Sequence, residues 1–199
     1  MTIASTRSGW TTTISSDSLK RETSSDEALV RRIARGDQLA MRTLFARHQV
    51  RAYRFVLRIV RDVMLAEDVI SDVFLDVWRQ AGAFEGRATV STWLLAIARN
   101  KAASALRRRT EMQVDGETLT TIADPAGDPE TALQEKNRSE ILRRCMTKLS
   151  AEHGQIIDLV YYHGKSVGDV AEIVGIPEPT VKTRMFYARK RLAALVAAA

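Results

Sequence analysis

SVGDVAEIVGIPEPTVKTRMFYARKRL, residues 166–192, decides the fold. Val167, Val170, Ala171 and Val174 recur at i, i+3, i+4 and i+7, one apolar face of a helix. Gly175-Ile176-Pro177 breaks that period and supplies a turn. Beyond it, Val181, Met185, Ala188 and Leu192 recur at i, i+4, i+7 and i+11, a second buried face on a helix running from Pro179 to about Val196. Two short helices joined by a glycine-containing turn, the second strongly basic, form a helix-turn-helix. The face opposite the second apolar stripe holds Pro179, Thr183, Phe186, Tyr187 and Lys190, flanked by Lys182 and Arg184. A recognition helix presents its N-terminal side chains to base edges and longer basic ones to phosphates. Lys182 and Thr183 are therefore the base-edge candidates. Phe186 suits a thymine methyl, and Arg184, Arg189, Lys190 and Arg191 suit phosphates. Thr180 and Tyr187 complete the candidate surface. An exposed Phe-Tyr pair among cations has no role in an ordinary solvated hairpin.

Upstream, Ser150 opens a helix through an imperfect capping box with Glu152-His153 nearby, and His163-Gly164-Lys165 ends it. A further helix runs from about Pro129 to Leu149. Strand signals are nearly absent in the N-terminal half as well. Ser25-Asp26-Glu27 caps a first helix that Gly36-Asp37 breaks. A second, about Gln38 to Val60, places Leu44, Val50, Phe55, Leu57 and Ile59 among arginines. A third, about Met64 to Gln80, carries Leu65, Val69, Val73 and Val77 with Ile70 and Phe74 at helical spacing.

Phe84 to Arg109 reads FEGRATVSTWLLAIARNKAASALRRR. Gly82 to Thr89 is a loop, and Ser91-Thr92 is expected to cap a helix that reaches about Arg109. Leu94, Ile97, Ala98, Ala102 and Ala105 form its packing face, and Asn100, Ser104 and Arg107 a polar one. Arg99, Lys101, Arg107, Arg108 and Arg109 add positive charge. Phe84, Arg87 and Trp93 bring aromatic and cationic groups beside that face. Such a constellation suits opened DNA, where unstacked bases pack on side chains while cations track phosphate. For Trp93 by itself, core packing is the plainer role.

The chain has 199 residues, 45% of them hydrophobic and 27% charged, with a net charge of +6. That charge is unevenly spread. Residues 26–110 carry net +7, residues 111–130 net −6 with no basic side chain, and residues 131–199 net +4. Two basic lobes around an acidic segment suggest two contacts with a polyanion. Residues 111–130 hold Gly116, Pro125, Gly127 and Pro129 without apolar periodicity, so they read as a flexible linker. Residues 1–25 are rich in Ser and Thr and read as a disordered tail, not a secretory signal. No apolar run approaches the roughly 20 residues of a membrane span. Cys145 is the single cysteine and the three histidines are scattered at 48, 153 and 163, each expected at the surface or a helix end. No metal site or cofactor is expected, and no phosphate loop or Ser-His-Asp set points to an enzyme. The expected compartment is the cytoplasm.

Two stretches carry a family resemblance. DVISDVFLDVWRQAGAFEGRATVSTWLLAIARNKAASALRRR resembles region 2, and LSAEHGQIIDLVYYHGKSVGDVAEIVGIPEPTVKTRMFYARKRL resembles region 4, of the extracytoplasmic-function sigma factors. The two motifs together are specific; the helix-turn-helix alone is not. The resemblance implies an all-α protein of two helical domains. A region 2 bundle (26–110) would be joined by the acidic linker (111–130) to a region 4 helix-turn-helix (131–199). It implies binding to core RNA polymerase through the beta-prime clamp helices and the beta flap, with Glu67, Asp68, Asp72 and Asp76 on the clamp-docking helix. Region 2 would melt the minus-ten element with Phe84, Arg87, Trp93, Arg99, Asn100, Lys101, Ser104, Arg107 and Arg108. Asn100 sits at the family's Asn beside a base-capture pocket. Region 4 would bind the minus-thirty-five element, and an anti-sigma factor would regulate the whole.

The sequence departs from the family pattern at Ser71, where Gln is common, and at Val90, where an aromatic is common. Gly168-Asp169 replaces Glu-Glu, and Pro179 replaces Gly. Gly168 is expected to loosen its helix, since Gly costs about 1 kcal/mol against Ala; Pro179 is tolerated in a first turn. A LuxR-type regulator would explain the C-terminal lobe but not the Trp93–Arg109 constellation. A sigma-like decoy that binds an anti-sigma factor and no DNA is opposed by Arg107-Arg108-Arg109 and Lys182.

Overall fold

The computed structural model describes residues 25–112 and 141–198. In chain order the helices are α1 (Asp26–Ile33), α2 (Gln38–Val60), α3 (Val63–Gln80), α4 (Val90–Met112), α5 (141–147), α6 (Ala151–Tyr161), α7 (Val167–Val174) and α8 (Glu178–Ala197). One 3-10 turn, Ala81–Ala83, follows α3, and no strand occurs among the described residues. The expected all-α class is the observed one.

Local chemistry sets the helix ends. Ser25 Oγ accepts from the Ala28 N–H, so this last residue of the expected tail belongs to the cap of α1; the rest of the tail lies outside the described residues. Asp37 accepts from Leu39 and Ala40 at the start of α2, and Asp62 from Leu65 at the start of α3. Those bonds hold both carboxyls below the usual carboxylate range, with Arg32 and Arg109 assisting respectively. At α4 the cap is Thr89, not Ser91-Thr92. Its Oγ1 accepts from the Thr92 N–H and its carbonyl from the Trp93 N–H, so the helix begins at Val90. α4 also outruns the expected end at Arg109 and takes in Glu111 and Met112. The remainder of the expected linker, residues 113–130, lies outside the described residues. So does the first part of the helix expected over 129–149, whose described part ends at residue 147.

α2, α3 and α4 pack on one another, with α1 across α2. Leu44, Phe55, Val56, Val69, Val73, Val77, Leu94, Ala98 and Ala102 are buried between them. Val50 of α2 is 53% exposed, whereas Ala40, Ala52 and Ala66 are sealed in the core. Small residues at these positions let the helix backbones approach. In the C-terminal half α6 and α7 pack on α8.

The two halves are not separate bodies here. α4 packs on α7 and α2 on α6, and one apolar cluster runs through Phe55 and Leu94 into Ile156, Leu159, Val170, Ile173 and Val181. Each such side chain contributes about 1.5–3 kcal/mol when taken from water. The charge pattern that suggested two lobes does not report this seam, because the cluster at its centre is uncharged. A smaller cluster of Leu149, Ile157 and Ala188 forms within the C-terminal half, with Met146, Leu192 and Leu195 against it, and Cys145 is buried as well.

Candidate nucleic-acid interface

α7 and α8 form the expected helix-turn-helix. Ser166 Oγ accepts from the Asp169 N–H while Asp169 accepts from the Ser166 N–H, a complete capping box. The Ser166 bonds, helped by a Thr92 bond and the Lys165 charge, outweigh the opposing desolvation and leave the Asp169 carboxyl below its ordinary value. This box offsets the loosening expected from Gly168. A Cβ at Gly168 would lie 3.3 Å from Glu178 Oε1, so the glycine also admits the first turn of α8. Gly175 ends α7 at φ 71°, the left-handed conformation that glycine adopts freely. Pro179 sits in the first turn of α8, where a missing N–H costs nothing.

Burial separates the two faces of α8 as expected. Val181 and Ala188 are buried, Met185 and Leu192 partly so, and Pro179, Lys182, Thr183, Phe186, Tyr187, Arg189 and Lys190 are exposed. Phe186 and Tyr187 meet edge to face at 5.4 Å. Lys182 has Glu178 one turn back at 3.9 Å, and Arg189 lies over the Tyr161 ring. Thr183 Oγ1 donates to the Pro179 carbonyl. Arg184 is placed differently: it is half-buried on the flank and paired with Glu152 of α6 at 3.1 Å. Thr180 is partly covered at the helix start.

The second candidate surface lies along α4 and its preceding loop. Phe84 and Trp93 are tilted against each other with centroids 5.0 Å apart, both partly buried against the core. Arg87 is exposed and paired with Glu85. Asn100 and Arg107 are exposed with Ser104 partly covered between them, one turn apart on one face. Arg99 donates to the Asn100 side-chain carbonyl at 3.2 Å. Arg108 is exposed, and Arg107 has Glu111 at 4.0 Å. Lys101 turns to Asp76 of α3 at 2.8 Å, and Arg109 to Asp62. Glu67, Asp68 and Asp72 face solvent on α3 beside exposed Met64 and Leu75. Asp76 does not join them; its side chain is 18% exposed and faces α4.

Several groups escaped the reading by motif. Asp158, 1% exposed, pairs with Arg58 across the seam, and Arg58 also lies over the Tyr162 ring. His163, expected at the surface or a helix end, lies just past the end of α6 and is enclosed against Phe55 and Asp158. Burial first, then the charges of Arg58, Lys165 and Arg51, pulls its pKa down to about 4. His48 lies 2.6 Å from Asp26. Among the described residues no group of His, Cys, Asp and Glu could hold a metal ion, and no helix is long and apolar enough to cross a membrane.

Comparison with known proteins matches residues 44–111 to sigma-70 region 2 and residues 139–192 to sigma-70 region 4. The chain is 33% identical over 178 residues to the ECF RNA polymerase sigma factor SigM of Mycobacterium tuberculosis (strain ATCC 35801 / TMC 107 / Erdman), covering 89% of this chain and 87% of that protein. It is 28% identical over 172 residues to SigK of Mycobacterium bovis (strain BCG / Pasteur 1173P2), covering 83% and 90%. Among solved structures, the sigma factor RpoE in complex with the anti-sigma factor NepR from Bartonella quintana superposes with a TM-score of 0.64 at 26% identity, covering 77% of this chain and 94% of that one. CnrH in complex with the cytosolic domain of CnrY shares the fold, with a TM-score of 0.63 at 24% identity over 87% and 97% of the two chains.

Proposed function

The chain belongs to the extracytoplasmic-function sigma factors of the sigma-70 family, and from that membership we infer that it binds core RNA polymerase, recognises and melts promoter DNA, and so initiates transcription of a specific regulon. The observation that carries this reading is the pairing, in one chain and in order, of region 2 and region 4, each presenting a basic, aromatic-bearing helix face. A lone helix-turn-helix regulator has no use for the first of these.

We assign the exposed face of α8 to the minus-thirty-five element. Lys182 and Thr183 read base edges, Phe186 and Tyr187 supply apolar contact, and Arg189 and Lys190 meet phosphates. Thr180 and Arg184 border that face, Arg184 through its link to Glu152. We assign Asn100, Ser104, Arg107 and Arg108, with Phe84, Arg87 and Trp93, to the minus-ten element, where a base leaves the stack and needs new partners. Arg99 orients Asn100 there. Glu67, Asp68 and Asp72 form the docking face for the polymerase clamp helices, while Asp76 restrains Lys101. Region 4 also meets the beta flap. The protein is a non-catalytic regulator working in the cytoplasm. Its regulating partner is an anti-sigma factor, as RpoE is held by NepR in the solved complex.

Transcription in vitro with purified core polymerase on a mixed promoter library tests the reading. Promoter-specific starts that need the chain are expected. DNA binding without such starts fits a plain regulator instead, and binding to neither polymerase nor DNA fits a decoy.

A further inference from the structure

Neither candidate DNA surface uses a small recess of about 40 Å³ beside the start of α4. Its polar lining is His48 and Arg51 of α2, Ser91 of α4, and His163 and Lys165 beyond the end of α6. Aliphatic side chains form the rest of the wall, and no carboxylate lines it. The nearby acids are committed elsewhere. Asp26 holds Arg47 and His48, Asp158 holds Arg58, and Asp169 caps α7 and accepts from Thr92. A space of about 10–15 Å³ admits one water, so this one takes roughly three, the room of a single tetrahedral oxyanion.

The chemistry of the lining favours an anion. Arg51 and Lys165 bring two cations to one recess, and Arg51, exposed to solvent, has no ion pair among the described residues. Burial first, then the Arg58, Lys165 and Arg51 charges, lowers the His163 pKa, and burial with the Arg51 charge lowers that of Lys165 against the pull of Asp169. Ser91 is the second residue of α4, where the first N–H groups of a helix have no acceptor within it and the helix dipole is positive. His163 is an independent sign. Its side chain is only 6% exposed, its polar contact is Asp158 at 3.5 Å, and no hydrogen bond engages the ring among the described residues. A ring so enclosed ordinarily has a hydrogen-bond partner, and this one lines the recess. Lys165 donates to Ser91 and Thr92, while its third contact, to Thr89, is long at 3.5 Å and is the one an oxyanion replaces.

We propose that this recess binds a tetrahedral oxyanion, a phosphate either free or at the end of a nucleotide, with Arg51 and Lys165 pairing its charge and Ser91 and His163 donating to its oxygens. The lining comes from both halves of the chain, so a bound phosphate joins them and the packing of the free protein responds to a soluble anion. The site does not depend on promoter recognition.

The test is titration calorimetry on the full chain with inorganic phosphate, at an ionic strength held constant with potassium chloride, and in a second arm with adenosine 5′-monophosphate. One saturable site per chain is expected. Tighter binding of the nucleotide makes a nucleotide phosphate the ligand; equal or tighter binding of inorganic phosphate makes it the free ion. Arg51→Gln and Lys165→Met remove one cation from each half, and charge-assisted hydrogen bonds are strong enough that each should weaken binding about ten-fold. Arg31→Gln, exposed and outside the recess, should bind as the wild type does. Spin labels at Arg35→Cys and Ala193→Cys on a Cys145→Ser background, both label sites being exposed, read the packing of the two halves in urea that populates a packed and an open distribution. Phosphate at ten times its dissociation constant should move the packed-to-open ratio about ten-fold in this background and much less with Arg51→Gln added. If Lys165→Met melts early, Arg51→Gln and the label distances decide. Absence of saturable binding, equal weakening in Arg31→Gln, wild-type binding by either recess variant in folded form, or label populations indifferent to phosphate overturns the site.

Discussion

α8 and α4 are both long and rich in arginine and lysine, but they carry their charge in different ways. Along α8 the cations Lys182, Arg189 and Lys190 stand in solvent opposite a stripe of buried Val181 and Ala188. Along α4 three of the cations are tied down, while Arg107 and Arg108 stay exposed. Lys101 goes to Asp76, Arg109 to Asp62, and Arg99 to its neighbour Asn100. The start of α4 is gripped by Lys165 and Asp169. α8 thus offers a face open to solvent, while α4 is braced by neighbours along one side. This division suits a protein that docks on duplex DNA with one half and opens it with the other.

The largest expected effect lies in the contact that brings the two helices into one body. Arg58→Ala leaves the Asp158 carboxylate buried without its cation, a loss of about 3–5 kcal/mol in the stability of the closed arrangement. Denaturant titration should show this as a lower midpoint or as a separate early transition when the halves part. Asp158→Asn in the Arg58→Ala background should recover much of it, because the stranded charge is gone. If Arg58→Ala is neutral, the seam does not form in solution and the contrast between the helices disappears.

A second test divides the faces of α8. Val181 is wholly buried, and Val181→Ala removes two methyl groups from the seam cluster at about 2 kcal/mol. Phe186 is 62% exposed, and Phe186→Ala should change stability by less than about 0.5 kcal/mol while weakening minus-thirty-five binding. Equal losses of stability would place Phe186 in a contact that the fold does not contain.

The third test compares how the two surfaces treat DNA. Lys182→Ala and Thr183→Ala should each change base preference in the minus-thirty-five element by about 1–3 kcal/mol. Arg189→Ala should weaken all sequences evenly and reduce the salt slope. Asn100→Ala should leave polymerase binding and closed-complex formation intact and lower permanganate-detected melting, and a pre-melted template should restore activity. Loss of polymerase binding in Asn100→Ala would make that residue structural.

The contrast also explains what the sequence disclosed. The helix-turn-helix was legible because its information is local. The apolar stripes, Gly175 and Pro179 sit within one stretch and dictate one geometry. The start of α2 followed from the Gly36-Asp37 break for the same reason, whereas the Asp62 cap of α3 did not enter the reading of that helix from its apolar period. The seam was not legible. Arg58 and Asp158 lie 100 positions apart, and Thr92 and Asp169 lie 77 apart. Nothing in the local period marks a residue for a partner so distant. His163 looked like a helix-end histidine and Asp76 like one of an exposed acidic row, because exposure depends on which helix lies opposite. The Ser166–Asp169 box is the exception, since a serine followed three residues later by an acid at a helix start is a local signal.

The smallest expected effect is a pH dependence of the closed state, set by His163. Its ring is enclosed by Phe55, Arg51 and Arg58 of α2, by Asp158 of α6 and by Lys165, with His48 and Ser91 lining the same recess. Burial and three cations outweigh one carboxylate already committed to Arg58, so the pKa stands at about 4 against an ordinary 6.5. The closed state therefore binds fewer protons at this site than the open one. Its stability from this group is fully present above pH 6.5 and is lost progressively as pH falls from 6.5 through 4. At pH 5.5, one unit below the free value, the loss is about 1.4 kcal/mol. The depressed carboxyls Asp37, Asp62 and Asp169 titrate below 3.8 and leave this window clear. Spin-label distances on the free protein should thus shift toward the open distribution between pH 7.5 and 5.5, about ten-fold in the open-to-closed ratio. His163→Gln cannot gain the proton and should flatten the profile while keeping the neutral-pH distance. An unchanged profile in that variant would assign the pH response to another group, and a flat wild-type profile would mean that the ring reaches solvent in the closed state.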